Sequence, residues 1–234
     1  MINKHKLNRR LKGLRRNLYG LRRFIPGLKK KHELELMVGP LGYWKKLQAY
    51  QLNLLKVNGL KPGHKLLDIG CGPLQGGIAF IKYLDSNNYY GIDIKQESLD
   101  AGKQQIKKFQ LEKKNPFISL SNSFGRKELS KVKFDFIWAS QILYYFDDKK
   151  LTSLMEWLSI CLQDEGKFLG DIIGPKHYEF KTKEHNWFLH TADSLENIAK
   201  NFNLKVHNLG EIESFGYPGR LSLKTNHLIK ISKK

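Results

Sequence analysis

Cysteine is scarce in this chain of 234 residues: only Cys71 and Cys161 are present. Two cysteines make no disulfide framework, so a reducing, cytoplasmic setting is expected. Cys71 lies inside a glycine turn where a small residue fits, and Cys161 in an apolar helical stretch suited to core packing. No apolar run approaches the length needed to cross a bilayer. The N-terminus is basic, but no apolar signal-peptide core follows it. No tight His/Asp/Glu spacing matches a known ligand pattern, so no metal is expected. Acids are also short, 22 Asp and Glu against 41 Lys and Arg, for a net charge of +19.

That charge is unevenly spread. Residues 1–32 hold twelve Lys and Arg and no acid, so the remaining chain carries +7 of the +19. Within this arm Leu7, Leu11, Leu14, Leu18, Leu21, Ile25 and Leu28 follow a 4-3 spacing, which places them on one stripe of a helix. Pairs of Arg or Lys flank the stripe, and Pro26 interrupts it. A homomeric coiled coil is disfavoured, because the flanking charges have no acidic complement. A basic amphipathic helix lying on an anionic membrane fits the composition. Nucleic-acid binding fits the charge but leaves the leucine stripe unexplained. The third reading is a stripe packed on the chain's own domain. The expected division is a basic arm over 1–38 and one catalytic-sized domain over 39–234.

The most informative stretch is Lys65-Leu66-Leu67-Asp68-Ile69-Gly70-Cys71-Gly72-Pro73, followed by Tyr89-Tyr90-Gly91-Ile92-Asp93-Ile94. It reads as strand, glycine turn, helix, strand and a carboxylate at the second strand's end. Gly70 and Gly72 allow a tight turn close to a ligand. Asp93, 21 residues after Gly72, can accept hydrogen bonds from both hydroxyls of a ribose. A dinucleotide fingerprint requires G-x-G-x-x-G, but its sixth position here is Gln75, with Gly76 one residue late. Asp68 is unwelcome beside a pyrophosphate. S-adenosylmethionine (SAM) carries an ammonium, a carboxylate and a sulfonium, and a turn offering backbone N–H groups beside an acid suits it better.

From here the chain resembles the class I SAM-dependent methyltransferases, over roughly residues 40–234. Asp68-x-Gly70-x-Gly72 is similar to the family's first motif and Gly91-Ile92-Asp93 to its second. Phe134–Ser140 is similar to its fourth strand, and Leu162-x-x-x-Gly166-Lys167-Phe168-Leu169 to the turn into its fifth. One departure is Leu74, which stands where the family often has a third glycine. The resemblance implies an α/β fold: a Rossmann-like three-layer sandwich around a seven-stranded, mostly parallel sheet with one antiparallel strand. It implies SAM as cofactor, held by Asp68, Gly70, Cys71, Gly72, Asp93 and Ile94. Asn122 and Ser123 would read the adenine edge, and Ser140 and Gln141 would line the methionine end. For Asn122 and Ser123 a simple strand-ending turn is the competing reading.

Methyl transfer needs a positioned acceptor, and a base if that acceptor is a hydroxyl. The insert Gly174–His190, after the fifth strand, holds His177, His185 and His190 beside Trp187 and Phe188. The base candidates are Asp171, His185 and His190. No Asn-Pro-Pro-Tyr-like sequence follows the fourth strand, which argues against methyltransferases that cradle an amide or adenine amine there. Nor does either cysteine have the Pro-Cys context used by RNA cytosine methyltransferases. The expected acceptor is a sugar, a lipid-linked glycan or another small molecule, with the arm at the inner face of a membrane. The alternatives are an RNA methyltransferase whose arm grips phosphate and a non-catalytic SAM-fold binding partner. The oligomeric state is not legible.

Overall fold

The computed structural model describes residues 34–37, 42–174, 187–218 and 225–234. The chain divides into two compact units, Met1–Tyr43 and Trp44–Lys234. In the first, residues 34–36 are helical; the leucine stripe lies outside the described residues, as do His177 and His185.

The second unit opens with α1 (Trp44–Val57), whose Leu47, Tyr50, Leu54 and Leu55 are buried at helical spacing. A βα alternation follows: β1 (Leu66–Ile69), α2 (Gly77–Tyr83), β2 (Tyr89–Asp93), α3 (Gln96–Lys108), β3 (Phe117–Leu120) and β4 (Phe134–Ala139). Then come α4 (Asp148–Cys161), β5 (Leu162–Ile172), α5 (Ala192–Ala199), β6 (Leu204–Glu211) and β7 (His227–Lys233). The described strands form one seven-stranded sheet in the order β3-β2-β1-β4-β5-β7-β6. Pairings from β3 to β5 are parallel, and β7 runs antiparallel to both its neighbours. The order reverses between β1 and β4, so a crevice for ligands opens at the carboxyl ends of those strands.

The seven-stranded, mostly parallel sheet with a single reversed strand agrees with the expected fold. α4 begins at Asp148, where Asp147 caps it by accepting from the Lys150 N–H at 2.8 Å. One boundary differs from the sequence reading. β5 begins directly at Leu162, four residues before Gly166, with a register shift opposite Phe134–Phe136. A Cβ on Gly166 would stand 2.8 Å from the Phe134 carbonyl oxygen, so the irregular pairing requires glycine there. The helix after the insert is capped: Thr191 and Ser194 bond reciprocally at 3.0 Å in a capping box.

Candidate functional site

β1 places Leu67 and Ile69 in the main core and Asp68 on the opposite face, buried. Asp68 accepts a hydrogen bond from the Tyr89 hydroxyl at 2.7 Å. Burial pushes its carboxyl up to about 7, the Tyr89 bond opposes that, and the neighbouring Asp93 charge adds to it. Tyr89 itself gave no signal in the sequence beyond a strand-like aromatic.

The turn after β1 is closed onto the end of β2. The Gly70 and Cys71 N–H groups both donate to the Ile92 carbonyl, at 2.8 and 3.0 Å. The Gly72 N–H donates to Asp93 Oδ2 at 2.9 Å, and the Lys95 N–H to Asp93 Oδ1 at 2.8 Å. Three N–H groups of the turn are therefore engaged within the protein. This differs from the expected turn of outward-pointing donors. A phosphate needs such donors; an ammonium needs acceptors, and backbone carbonyls remain for it. Each Asp93 oxygen has accepted one bond and keeps a further lone pair, which suits the two hydroxyls of a ribose. This donor and acceptor set fits SAM better than a dinucleotide.

The missing third glycine has a structural counterpart. Leu74 adopts a left-handed conformation (φ 64°), which costs a side-chain-bearing residue roughly 1–2 kcal/mol. Its side chain is fully buried and fills space left open by two glycines. A Cβ on Gly77 would lie 2.7 Å from Leu74 Cδ2, and one on Gly102 2.9 Å from Leu74 Cγ. The late glycines serve α1 and Tyr89 as well. A Cβ on Gly76 would lie 2.3 Å from Gln51 Oε1, and one on Gly77 2.5 Å from Tyr89 Oη. Gln51 in turn accepts from Trp138 Nε1 at 3.0 Å, and Gln48 donates to the Gln75 carbonyl at 2.9 Å. α1 is thus hydrogen-bonded to both the turn and β4, contacts that no local pattern revealed.

Ile94 follows β2 and is 63 % exposed. Beyond β3, Ser121 is buried and its hydroxyl accepts from the Gly125 N–H at 3.0 Å, while Asn122 is exposed and Ser123 half-buried. Ser140 and Gln141 are half-buried at the end of β4. Gln141 is also left-handed (φ 55°) and is held there by Asp171, whose Oδ1 accepts the Gln141 N–H at 2.7 Å. Asp171 Oδ2 accepts from Asn226 Nδ2 at 2.8 Å, and Gln141 Nε2 donates to the Tyr217 hydroxyl. Three tyrosines gather near this carboxylate. Burial first, and then the charge of Asp171, push the hydroxyls of Tyr50 and Tyr144 far above the usual range; for Tyr217 burial again leads and Asp171 adds.

The base candidates are placed differently from one another. Asp171 is buried and anchors two donors from separate segments. His190 is buried, with Nε2 2.7 Å from the Phe146 carbonyl oxygen, so that nitrogen carries its proton. Together with the Phe188 N–H, which donates to the Tyr144 carbonyl at 2.8 Å, it secures residues 187–190 to the turn after β4. His185 lies outside the described residues. No group of three or more His, Cys, Asp or Glu among the described residues is arranged to hold a metal ion.

Residues 67–168 match a family model described as a methyltransferase domain. The fold is that of the class I, Rossmann-like methyltransferases, and the matched segment runs from β1 into β5. An uncharacterised methyltransferase of Schizosaccharomyces pombe is 25 % identical to this chain over 146 residues. That alignment covers 58 % of the chain, which spans about half, 51 %, of the relative's length. Among solved structures, a magnesium protoporphyrin IX methyltransferase from Synechocystis with bound S-adenosylhomocysteine (SAH) superposes with a TM-score of 0.61 at 13 % identity, covering 91 % of this chain and 96 % of that one. A SAM-dependent methyltransferase from Clostridium acetobutylicum gives 0.62 at 14 % identity, covering 88 % and 98 %. A TehB-like SAM-dependent methyltransferase from Corynebacterium glutamicum gives 0.59 at 14 %, covering 88 % and 95 %. At these identities the structural likeness establishes the methyltransferase fold and leaves the acceptor open.

Proposed function

We propose that this protein is a SAM-dependent methyltransferase that methylates a hydroxyl of a sugar, a lipid-linked glycan or another small molecule. The observation that carries the reading is the glycine turn closed over Asp93, with its N–H groups engaged and the carboxylate still able to accept from a ribose. SAM, when bound, supplies a methyl group on a sulfonium that an acceptor oxygen can displace in line. The chain's own part is to bind, orient and exclude water. In this reading Asp93 holds the ribose, and Gly70, Cys71 and Gly72 keep the turn low enough for close approach. Asp68 braces the turn from beneath through Tyr89. Ile94, Asn122 and Ser123 flank the adenine, and Ser140 and Gln141 face the methionine end.

The geometry favours a positioning task for Asp171 over proton abstraction, since both its oxygens already receive donors. His190 has the same character through Phe146, and His185 stays a candidate base. The arm, taken as residues 1–38 beside a domain over 39–234, holds the enzyme at an anionic membrane face in this reading. No helix among the described residues is long and apolar enough to cross a membrane. Calorimetry tests the central step: SAM should bind the intact protein, and absence of binding would end the enzyme reading. Flotation with anionic liposomes tests the arm. Deleting residues 1–32 should abolish flotation, and unchanged flotation would remove the membrane from the proposal.

A further inference from the structure

Gln51 is buried among the apolar residues of α1. Its Oε1 accepts from Trp138 Nε1 at 3.0 Å, and an indole only donates, so the amide orientation is fixed. Nε2 then donates to Gln75 Oε1 at 3.3 Å. Gln48, three residues earlier and so on the same face of the helix, donates through Nε2 to the Gln75 carbonyl at 2.9 Å. Gln75 is therefore held by both its side chain and its main chain. A Cβ on the next residue, Gly76, would overlap Gln51 Oε1, so a side chain there would push the amide off Trp138.

The two bonds of this amide run to opposite sides of the switch point. Trp138 is the last residue but one of β4 and pairs with Asp68 of β1, so the two share a face of the sheet. Gln75 lies in the turn after β1, beyond Gly72, whose N–H is bonded to Asp93. The crevice opens between the carboxyl ends of β1 and β4, and one buried side chain is bonded to both of its sides. A methionine of the same length would fill the space with no amide to desolvate. What the amide adds is direction, because its two bonds are met together only at one separation of turn and strand.

Building on the methyl-transfer reading, we infer that Gln51 is a positioning residue for the cofactor: it sets the gap between the glycine turn and the end of β4 that SAM has to span. Gln48 is a second tether on the same stretch of turn. A gap fixed before binding spares the cofactor the cost of ordering the turn, so the amide acts on affinity through Gln75 and Trp138. A side chain that served packing alone would be replaceable by any residue of equal volume.

Calorimetry with SAH on the full chain tests this. Gln51→Met keeps the length and loses both bonds, and it should weaken SAH by about tenfold. Gln51→Glu keeps an acceptor for Trp138 and, once the Gln75 amide turns over, a bond to Gln75; it should stay within about threefold of the wild type. In heteronuclear NMR the Trp138 indole N–H, assigned by its loss in Trp138→Phe, should shift when SAH binds the wild type, although that side chain is buried. Gln48 is half-buried, so Gln48→Ala stays informative if Gln51→Met does not fold; it should weaken SAH about threefold. The inference is overturned, and the methyl-transfer reading left standing, by unchanged affinity in Gln51→Met (or in Gln48→Ala, should the former not fold). The same follows if Gln51→Glu binds as weakly as Gln51→Met, or if the Trp138 resonance is indifferent to SAH. Failure of SAH itself to bind the wild-type chain overturns both.

Discussion

Asp68, Gly70, Gly72 and Asp93 lie within one βαβ unit and are joined by bonds between β1, its turn and β2. Across the switch point, Gln141, Asp171, Tyr217 and Asn226 come from four separate places in the chain and converge through single side-chain contacts. The first region is made of backbone geometry that few residue types can satisfy. The second is made of side chains holding one another. The difference teaches that the β1–turn–β2 unit tolerates little change in glycine or acid, whereas the far side of the switch point depends on one buried carboxylate, Asp171, as a common anchor.

Removing that anchor should do the most. Asp171→Ala orphans the Gln141 N–H and the Asn226 amide and is expected to cost about 4 kcal/mol of stability. Chemical denaturation measures this, and a loss below about 1 kcal/mol would show that the anchor is not shared. Asp171→Asn, which keeps an acceptor for one of the two donors, should recover part of the loss.

In the β1–turn–β2 unit the corresponding effect is a pH dependence. The folded carboxyl of Asp68 sits near pH 7 against an ordinary value of 3.8, so the folded state holds its proton more tightly than the unfolded chain. The sign follows: stability falls as pH rises from about 4 to about 7, by up to roughly 4 kcal/mol, and is flat above that. Melting temperatures at pH 5 and pH 8 should differ for the wild type and converge in Asp68→Asn; an equal gap in both would place the dependence elsewhere.

Asp93→Ala removes a ribose acceptor and also frees the Gly72 and Lys95 N–H groups. Calorimetry should find SAM binding weakened roughly a hundredfold, about 2.7 kcal/mol. If the same substitution left affinity intact, the two regions would have exchanged roles. The smallest effect expected is that of Gly77→Ala, whose Cβ would press on Tyr89 Oη and Leu74. About 2 kcal/mol of stability should be lost, read by denaturation. Pairing it with a smaller residue at 74 should restore part of that.

The contrast also explains what was legible in the chain. The β1–turn–β2 unit could be read because its constraints are local: a glycine must stand where φ is positive, and an acid must end a strand to meet a ligand. Asp147 as a helix cap is equally local: an acid one residue before Asp148 meets the Lys150 N–H. Leu74 was legible as a departure but not as a solution, since the space it fills belongs to Gly77 and Gly102. Asn226 and Tyr217 carry no motif. Their importance arises from antiparallel pairing of β7 with β5, which sets Leu228 opposite Asp171 and so brings Asn226 alongside.

By itself the sequence determined the alternation of strands and helices, the glycine turn, the acid that ends β2 and the asymmetry of charge between arm and domain. Periodicity and backbone sterics act over a few residues, so they are written in the order of the chain. Only the tertiary structure decided that the turn's N–H groups face inward, that Leu74 replaces a glycine by borrowing space from two others, and that Asp171 ties β4 to β7. Those outcomes depend on which distant groups meet across the sheet. A buried donor or acceptor is settled by its partner, and that partner is chosen by the fold.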